Sequence, residues 1–330
     1  MSLADAETID VHAHAVLEET FGAAGAHGPE LGHEEKPRFR VGDYELLGVR
    51  YRGSPFMDPA LRLAAMDSAG IDFQVLSPNP LTYFHFIDTP TAVGFCRTHN
   101  DALAAAIAPH RERLGAFAAV PMQDIDAAIE ETRRAVGELG MFGPYVGTDF
   151  GRRLNDPALD RFYAALIELD VPLFIHPAPA GIDGPPGDPG LRQFDLDIIV
   201  GFAAQETIAV ATLIYGGVLD RHPALDVCIS HGGGATGYLF GRMASAARKR
   251  PWASASLRAD GAFETLLHRL WFDIHVHADD SLALLERHVN RDRLVFGTNF
   301  AGWDQQAGNL RDEARAYTAN ARRLLRAGTH

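Results

Sequence analysis

Short β-rich runs recur eight times along this chain, and a segment with helical periodicity follows each one. The runs are Thr8–His14, Phe73–Ser77, Leu114–Val120, Met141–Gly147, Val171–His176, Leu225–His231, Leu270–Val276 and Arg293–Asn299. They are nearly continuous in apolar residues, the pattern of a parallel sheet covered on both faces. The expected helices are Asp58–Ala69, Thr91–Ala108, Asp124–Leu139, Asp156–Leu169, Phe202–Asp220, Thr236–Lys249, Asp280–Val289 and Asp312–Arg326. Two of them open on Asp-Pro, an N-cap followed by the residue best tolerated in a first turn. Strict alternation favours a closed (β/α)8 TIM barrel over an open sheet. No Gly-x-Gly-x-x-Gly follows the first run, which removes the main support for a dinucleotide-binding fold. A length of 330 residues suits one such barrel with insertions, so residues 1–330 are expected to form a single domain.

The insertions are readable as interruptions of the alternation. Residues 16–57 follow strand one, and residues 177–200, rich in Pro, Gly and Asp, follow strand five. Both leave from the C-terminal ends of strands, the face on which barrel enzymes build their sites. Long loops there are usually functional. The formal charge of −13 argues against a nucleic-acid partner, which needs clustered Lys and Arg. Cys96 and Cys228 each sit in an apolar run, as free thiols do in a reducing compartment. With no basic-then-apolar leader and no apolar stretch judged long enough to cross a bilayer, the expectation is a soluble cytoplasmic protein.

Four histidines stand at strand ends. His12 and His14 are two apart on strand one, so strand alternation aims both the same way. His176 ends strand five and His231 ends strand six, and Asn299 ends strand eight. In a closed barrel these ends ring one cavity. A catalytic metal site needs about three protein ligands and an open position. Taken singly, each histidine reads equally well as a satisfied polar residue; taken together they point to a metal.

The stretches IDVHAH (9–14), MDSAGIDFQVLSP (66–78), VPLFIHP (171–177), ETIAVATLIYGGVLDRHPALDVCISHGGG (206–234) and FGTNF (296–300) carry a resemblance. In them the chain resembles, nearly end to end, the amidohydrolase-related family that includes aminocarboxymuconate semialdehyde decarboxylase and the resorcylate-type decarboxylases. The resemblance implies that His12, His14 and His176 hold a divalent metal, Zn2+ first and Mn2+ as the alternative. It implies an acid/base role for His231, a substrate-carboxylate contact for Arg50 or its neighbour Arg52, and a homodimer in which Arg242 reaches the neighbouring site. The family usually ends strand eight in Asp, whereas this chain has Asn299. An Asn oxygen can still ligate a metal, but it cannot take a proton as a carboxylate does. Proton transfer would then rest on His231 or on a substitute carboxylate. Asp304 is the candidate if its loop folds back, and Glu206 is a weaker one, because a helix-start position also suits an acidic residue.

Other residues remain open between site and scaffold. His275 and His277 share a strand face and could form a second metal site; the preferred reading is that His277 lines the pocket. Phe194, Phe84, Tyr83 and Trp303 suit either an apolar wall for a planar substrate or loop packing. Asp149 and Arg152 are further candidates after strand four. The expected activity is a metal-dependent non-oxidative decarboxylation of an aromatic or unsaturated carboxylic acid, with a small-molecule carboxylate as the partner. The same parts would serve a hydrolase of a lactone, ester or amide, or a hydratase. Asn299 leaves a catalytically weakened homologue as a third reading.

Overall fold

The computed structural model describes residues 2–327 other than 34, 180, 185, 186, 301, 303 and 307. All eight runs form strands: β1 (Ile9–Ala15), β2 (Phe73–Pro78), β3 (Leu114–Ala116), β4 (Tyr145–Val146), β5 (Leu173–Ile175), β6 (Val227–Ile229), β7 (Trp271–Asp273) and β8 (Leu294–Val295). Most are shorter than the apolar run that contains them. The ladder ends early, and the remaining apolar residues continue as buried loop at the strand ends.

Every pairing among these strands is parallel. β1 pairs with β2 and β2 with β3, while β4 to β8 pair in chain order. Single parallel bridges, Ala118 to Pro144 and Ala13 to Phe300, join the two groups at both edges. Each strand therefore has a parallel neighbour on either side, in the order of the sequence. Alternation along β5 shows how the layers divide. Phe174 packs with Phe117, Tyr145, Cys228 and Trp271 in one cluster, while Leu173 and Ile175 pack in the larger cluster that includes the helices. His176 keeps the parity of Phe174.

The helices between strands are α1 (Pro59–Ala69), α2 (Thr89–Ile107), α3 (Ile125–Gly137), α4 (Asp160–Glu168), α5 (Gly201–Tyr215), α6 (Thr236–Lys249), α7 (Asp279–His288) and α8 (Arg311–Leu324). Asp58 caps α1 by accepting from the amides of Ala60 and Leu61, with Pro59 in the first turn, as its sequence implied. At α4 the Asp156-Pro157 pair instead caps a short 3-10 turn, Pro157–Leu159, that precedes the helix. The stretch Leu196–Tyr215 is long and apolar enough to cross a bilayer by length and composition, which corrects the sequence expectation that none is. Its apolarity has a local cause: Ala209, Val210, Leu213 and Ile214 belong to the main hydrophobic core.

The first insertion is itself ordered. Glu30–Leu31, Arg38–Val41 and Tyr44–Leu47 form a three-stranded antiparallel sheet whose Phe39 and Val41 pack with Phe84 and Phe95. Tyr44 Oη donates to Asp197 at 2.6 Å and so ties this insertion to the second.

Candidate metal centre

His12, His14 and His176 come together, all buried, with one ligand atom from each lying within 4.8 Å of the others. Their rings stand edge to face, with centroids 4.8–5.2 Å apart. Each Nδ1 has an acceptor: Asp273 Oδ2 at 2.8 Å for His12, the Pro78 carbonyl at 3.1 Å for His14, and the Pro177 carbonyl at 2.7 Å for His176. These partners place the proton on Nδ1 and leave the lone pair on Nε2. All three Nε2 atoms are buried without a hydrogen-bond partner. Burial pushes all three imidazoles below their ordinary range, His14 to about 3, so they are neutral at physiological pH. Three neutral, convergent, unsatisfied nitrogen donors are costly unless an electron acceptor sits among them. The donor set fits a divalent cation with a further coordination position left open.

His231 stands beside this set, its ring 5.0 Å from His12 and 4.9 Å from His176. Its Nδ1 meets Glu206 Oε1 at 2.6 Å, and Ser230 Oγ donates to the same oxygen. Burial pushes His231 down, but the Glu206 carboxylate outweighs that and lifts it to about 9. Glu206 sits in the second turn of α5 and is fully buried, so its sequence reading as a helix-start charge is corrected. Its place is set by the imidazole it holds.

Asn299 has a left-handed backbone (φ 49°) and donates its amide nitrogen to Asp304 Oδ1 at 2.7 Å. The loop after strand eight does fold back. Asp304 Oδ2 then lies 3.2 Å from His275 Nε2 and 3.1 Å from His277 Nε2. A cavity of about 320 Å³ opens here, and His231, His275, His277, Asn299, Asp304 and Glu206 share its wall. Both strand-seven histidines therefore line it, not His277 alone. Asp279 and Asp280 do not cap α7, whose N-cap is Ala278.

The other sequence candidates are placed elsewhere. Arg50 and Arg52 are exposed on the first insertion, and Arg52 pairs with Glu18 through both nitrogens at 2.6 and 2.7 Å. Neither is on the described wall of the cavity beside His231. Phe194 is 80% exposed, which corrects its reading as an apolar wall. Phe84 and Tyr83 are buried and line a separate cavity with Asp149. Arg152 pairs with Asp156. Arg242 is exposed on α6, and Trp303 lies outside the described residues. Asp273 was missed by sequence reasoning, although its spacing of two before His275 on strand seven could have marked it as facing the same centre.

The amidohydrolase family model matches residues 9–326. The chain is 29% identical to the 2-amino-3-carboxymuconate-6-semialdehyde decarboxylase of Dictyostelium discoideum, over 74% of this chain and 66% of that protein. It is 33% identical to the gamma-resorcylate decarboxylase of Rhizobium sp. strain MTP-10005, over 64% of this chain and 65% of that protein. The chain thus spans just under two thirds of the length of these relatives. Its fold is shared with a 5-carboxyvanillate decarboxylase from Novosphingobium aromaticivorans, solved with manganese and 4-hydroxy-3-methoxy-5-nitrobenzoic acid. That likeness has a TM-score of 0.77 at 21% identity and covers 98% of this chain and 97% of that one.

Proposed function

Because the chain belongs to the amidohydrolase family, we propose that it is a metal-dependent non-oxidative decarboxylase of a small aromatic or unsaturated carboxylic acid. The ring of parallel strands is read as a (β/α)8 barrel forming one domain with two insertions. The observation that carries the reading is the convergence of three buried, unpartnered Nε2 atoms beside a histidine held by a buried carboxylate.

His12, His14 and His176 would hold the cation. When bound there, it supplies Lewis acidity towards substrate oxygens. Zn2+ is proposed as the resident ion, because imidazole donors accept several metals and Zn2+ stands above Mn2+ in affinity order. His231 is the proton donor. With Nδ1 engaged by Glu206, its Nε2 is the atom left for substrate. It delivers a proton to the carbon bearing the carboxylate; the carbon–carboxylate bond then breaks, its electron pair stays on that carbon skeleton, and CO2 leaves. Glu206 stabilises the imidazolium before transfer and fixes the ring. Asp304, held by Asn299, supplies the carboxylate that the end of strand eight lacks. A homodimer is proposed through the face around Arg242, where Tyr238 and Ile199 are exposed (82% and 54%).

The test is CO2 release from a panel of hydroxylated aromatic and unsaturated carboxylates, with metal-loaded and chelator-stripped protein. Turnover is expected only in the loaded form, and His231→Ala should abolish it while metal stays bound. No CO2 from any substrate with the metal loaded, or full turnover in His231→Ala, defeats the reading.

A further inference from the structure

The loop after β8 brings together a second set of donors, separate from the three histidines of the centre above. His275 and His277 follow β7 at the same spacing of two that His12 and His14 have on β1. Asp304 joins them, and the three ligand atoms again lie within 4.8 Å of one another. We propose that His275, His277 and Asp304 form a second divalent-cation site, distinct from His12, His14 and His176.

The distances favour coordination over plain hydrogen bonding. Donor atoms about 2.0–2.2 Å from a tetrahedral ion stand roughly 3.3 Å apart. The two imidazole nitrogens lie 3.2 and 3.1 Å from Asp304 Oδ2, close to that edge length. A charge-assisted N–H to carboxylate bond is shorter, about 2.7–2.9 Å. The same protein makes such bonds where it uses them: His231 to Glu206 at 2.6 Å and His12 to Asp273 at 2.8 Å. Asp304 is instead met at the long end of the range by two imidazoles on a single oxygen.

The surroundings suit a cation. The Asn299 amide fixes Asp304 Oδ1, which turns Oδ2 towards the imidazoles, as outer partners orient ligating carboxylates. His275 is buried and rigidly placed, its backbone amide bonded to Asp273 Oδ1 at 3.1 Å. His277 has a left-handed backbone (φ 62°) and a side chain half open to solvent, which gives an ion an entry path and leaves positions for water or substrate. No Arg or Lys is on the described wall of this cavity, so a cation here would add to His231 as positive charge for an anionic ligand. On this reading Asn299 is a positioning residue: an Asp there would set one carboxylate against another.

The test is a Zn2+ titration of the full chain after chelator stripping, read by calorimetry and by metal content after gel filtration. Two ions per chain are expected. Asp304→Asn and His277→Ala, the latter at a half-exposed position that the core does not need, should each weaken one ion at least tenfold and leave the other unchanged. The proposal is overturned if the unaltered protein saturates at one ion. It is equally overturned if either variant still binds two ions with the original affinities, or if Asp304→Asn loses both. These readouts do not depend on which reaction the protein catalyses.

Discussion

On the proposed reading, the contact between Glu206 and His231 sets the proton chemistry. Glu206 is fully buried and bonds both Ser230 and His231, so removing its charge leaves an imidazole that burial pushes down and only the more distant Asp273 and Asp304 carboxylates hold up. With Glu206 present, His231 is lifted from 6.5 to about 9. A proton donor must be protonated, so turnover should persist to the alkaline side of neutrality and fall as pH rises through about 9. In Glu206→Gln the alkaline limb of the kcat profile should move towards acid by about one unit or more, because desolvation, the largest influence on His231, then loses its main opponent. An unmoved limb would assign it to another group. Single residues were unevenly legible. His12, His14 and His176 announce themselves by spacing and by strand ends. The Glu206–His231 pair does not, because 25 residues separate its members and their meeting depends on how α5 lies against the loop after β6.

That loop shows what holds the pair in register. His231 to Gly234 turn through left-handed backbone at every residue, with φ of 45°, 61°, 69° and 64°. Glycine takes such angles without strain, which explains the run of three. Gly234 has a second constraint: a Cβ there would overlap the Ala203 carbonyl in α5, one turn before Glu206. Gly234→Ala should therefore push α5 away from β6 and cost on the order of 2–3 kcal/mol through strain and overpacking together. Denaturant unfolding measures the cost. The same variant should lower kcat while the three-histidine centre keeps its metal; wild-type kcat in a destabilised protein would uncouple the loop from Glu206. The elements themselves were largely readable, since parallel strands buried on both sides write continuous apolar runs. Their ends were not, because a run such as Leu114–Val120 stays apolar beyond the three-residue ladder of β3. The sheet within residues 16–57 also went unread, its strands being short and, in two of the three, only partly buried.

At the scale of the molecule, a bound cation and the ring of strands would stabilise each other. The ligands come from β1 and the end of β5, on opposite parts of the ring, so an ion bound to all three is bound to the folded state alone. At a free-ion concentration about a hundredfold above Kd, such binding adds about 2.7 kcal/mol. Chelation should then lower Tm by roughly 4 °C for a chain of this size. The stripped protein should in addition be acid-sensitive, and the sign follows from burial. His14 is held at about 3, and His12 and His176 are also held low, whereas the unfolded chain takes up protons on these rings below the ordinary 6.5. Stability is whole above that value and drains as pH falls from 6.5 towards 3, by roughly 1 kcal/mol per imidazole for each unit. Thermal melts of chelated protein at pH 8, 6.5 and 5.5 measure this directly. The first two should nearly agree and the third should fall well below them. A Tm that holds level down to pH 5.5 would mean that these rings already share protons or solvent in the folded state, and that they are not waiting, neutral and dry, for an ion.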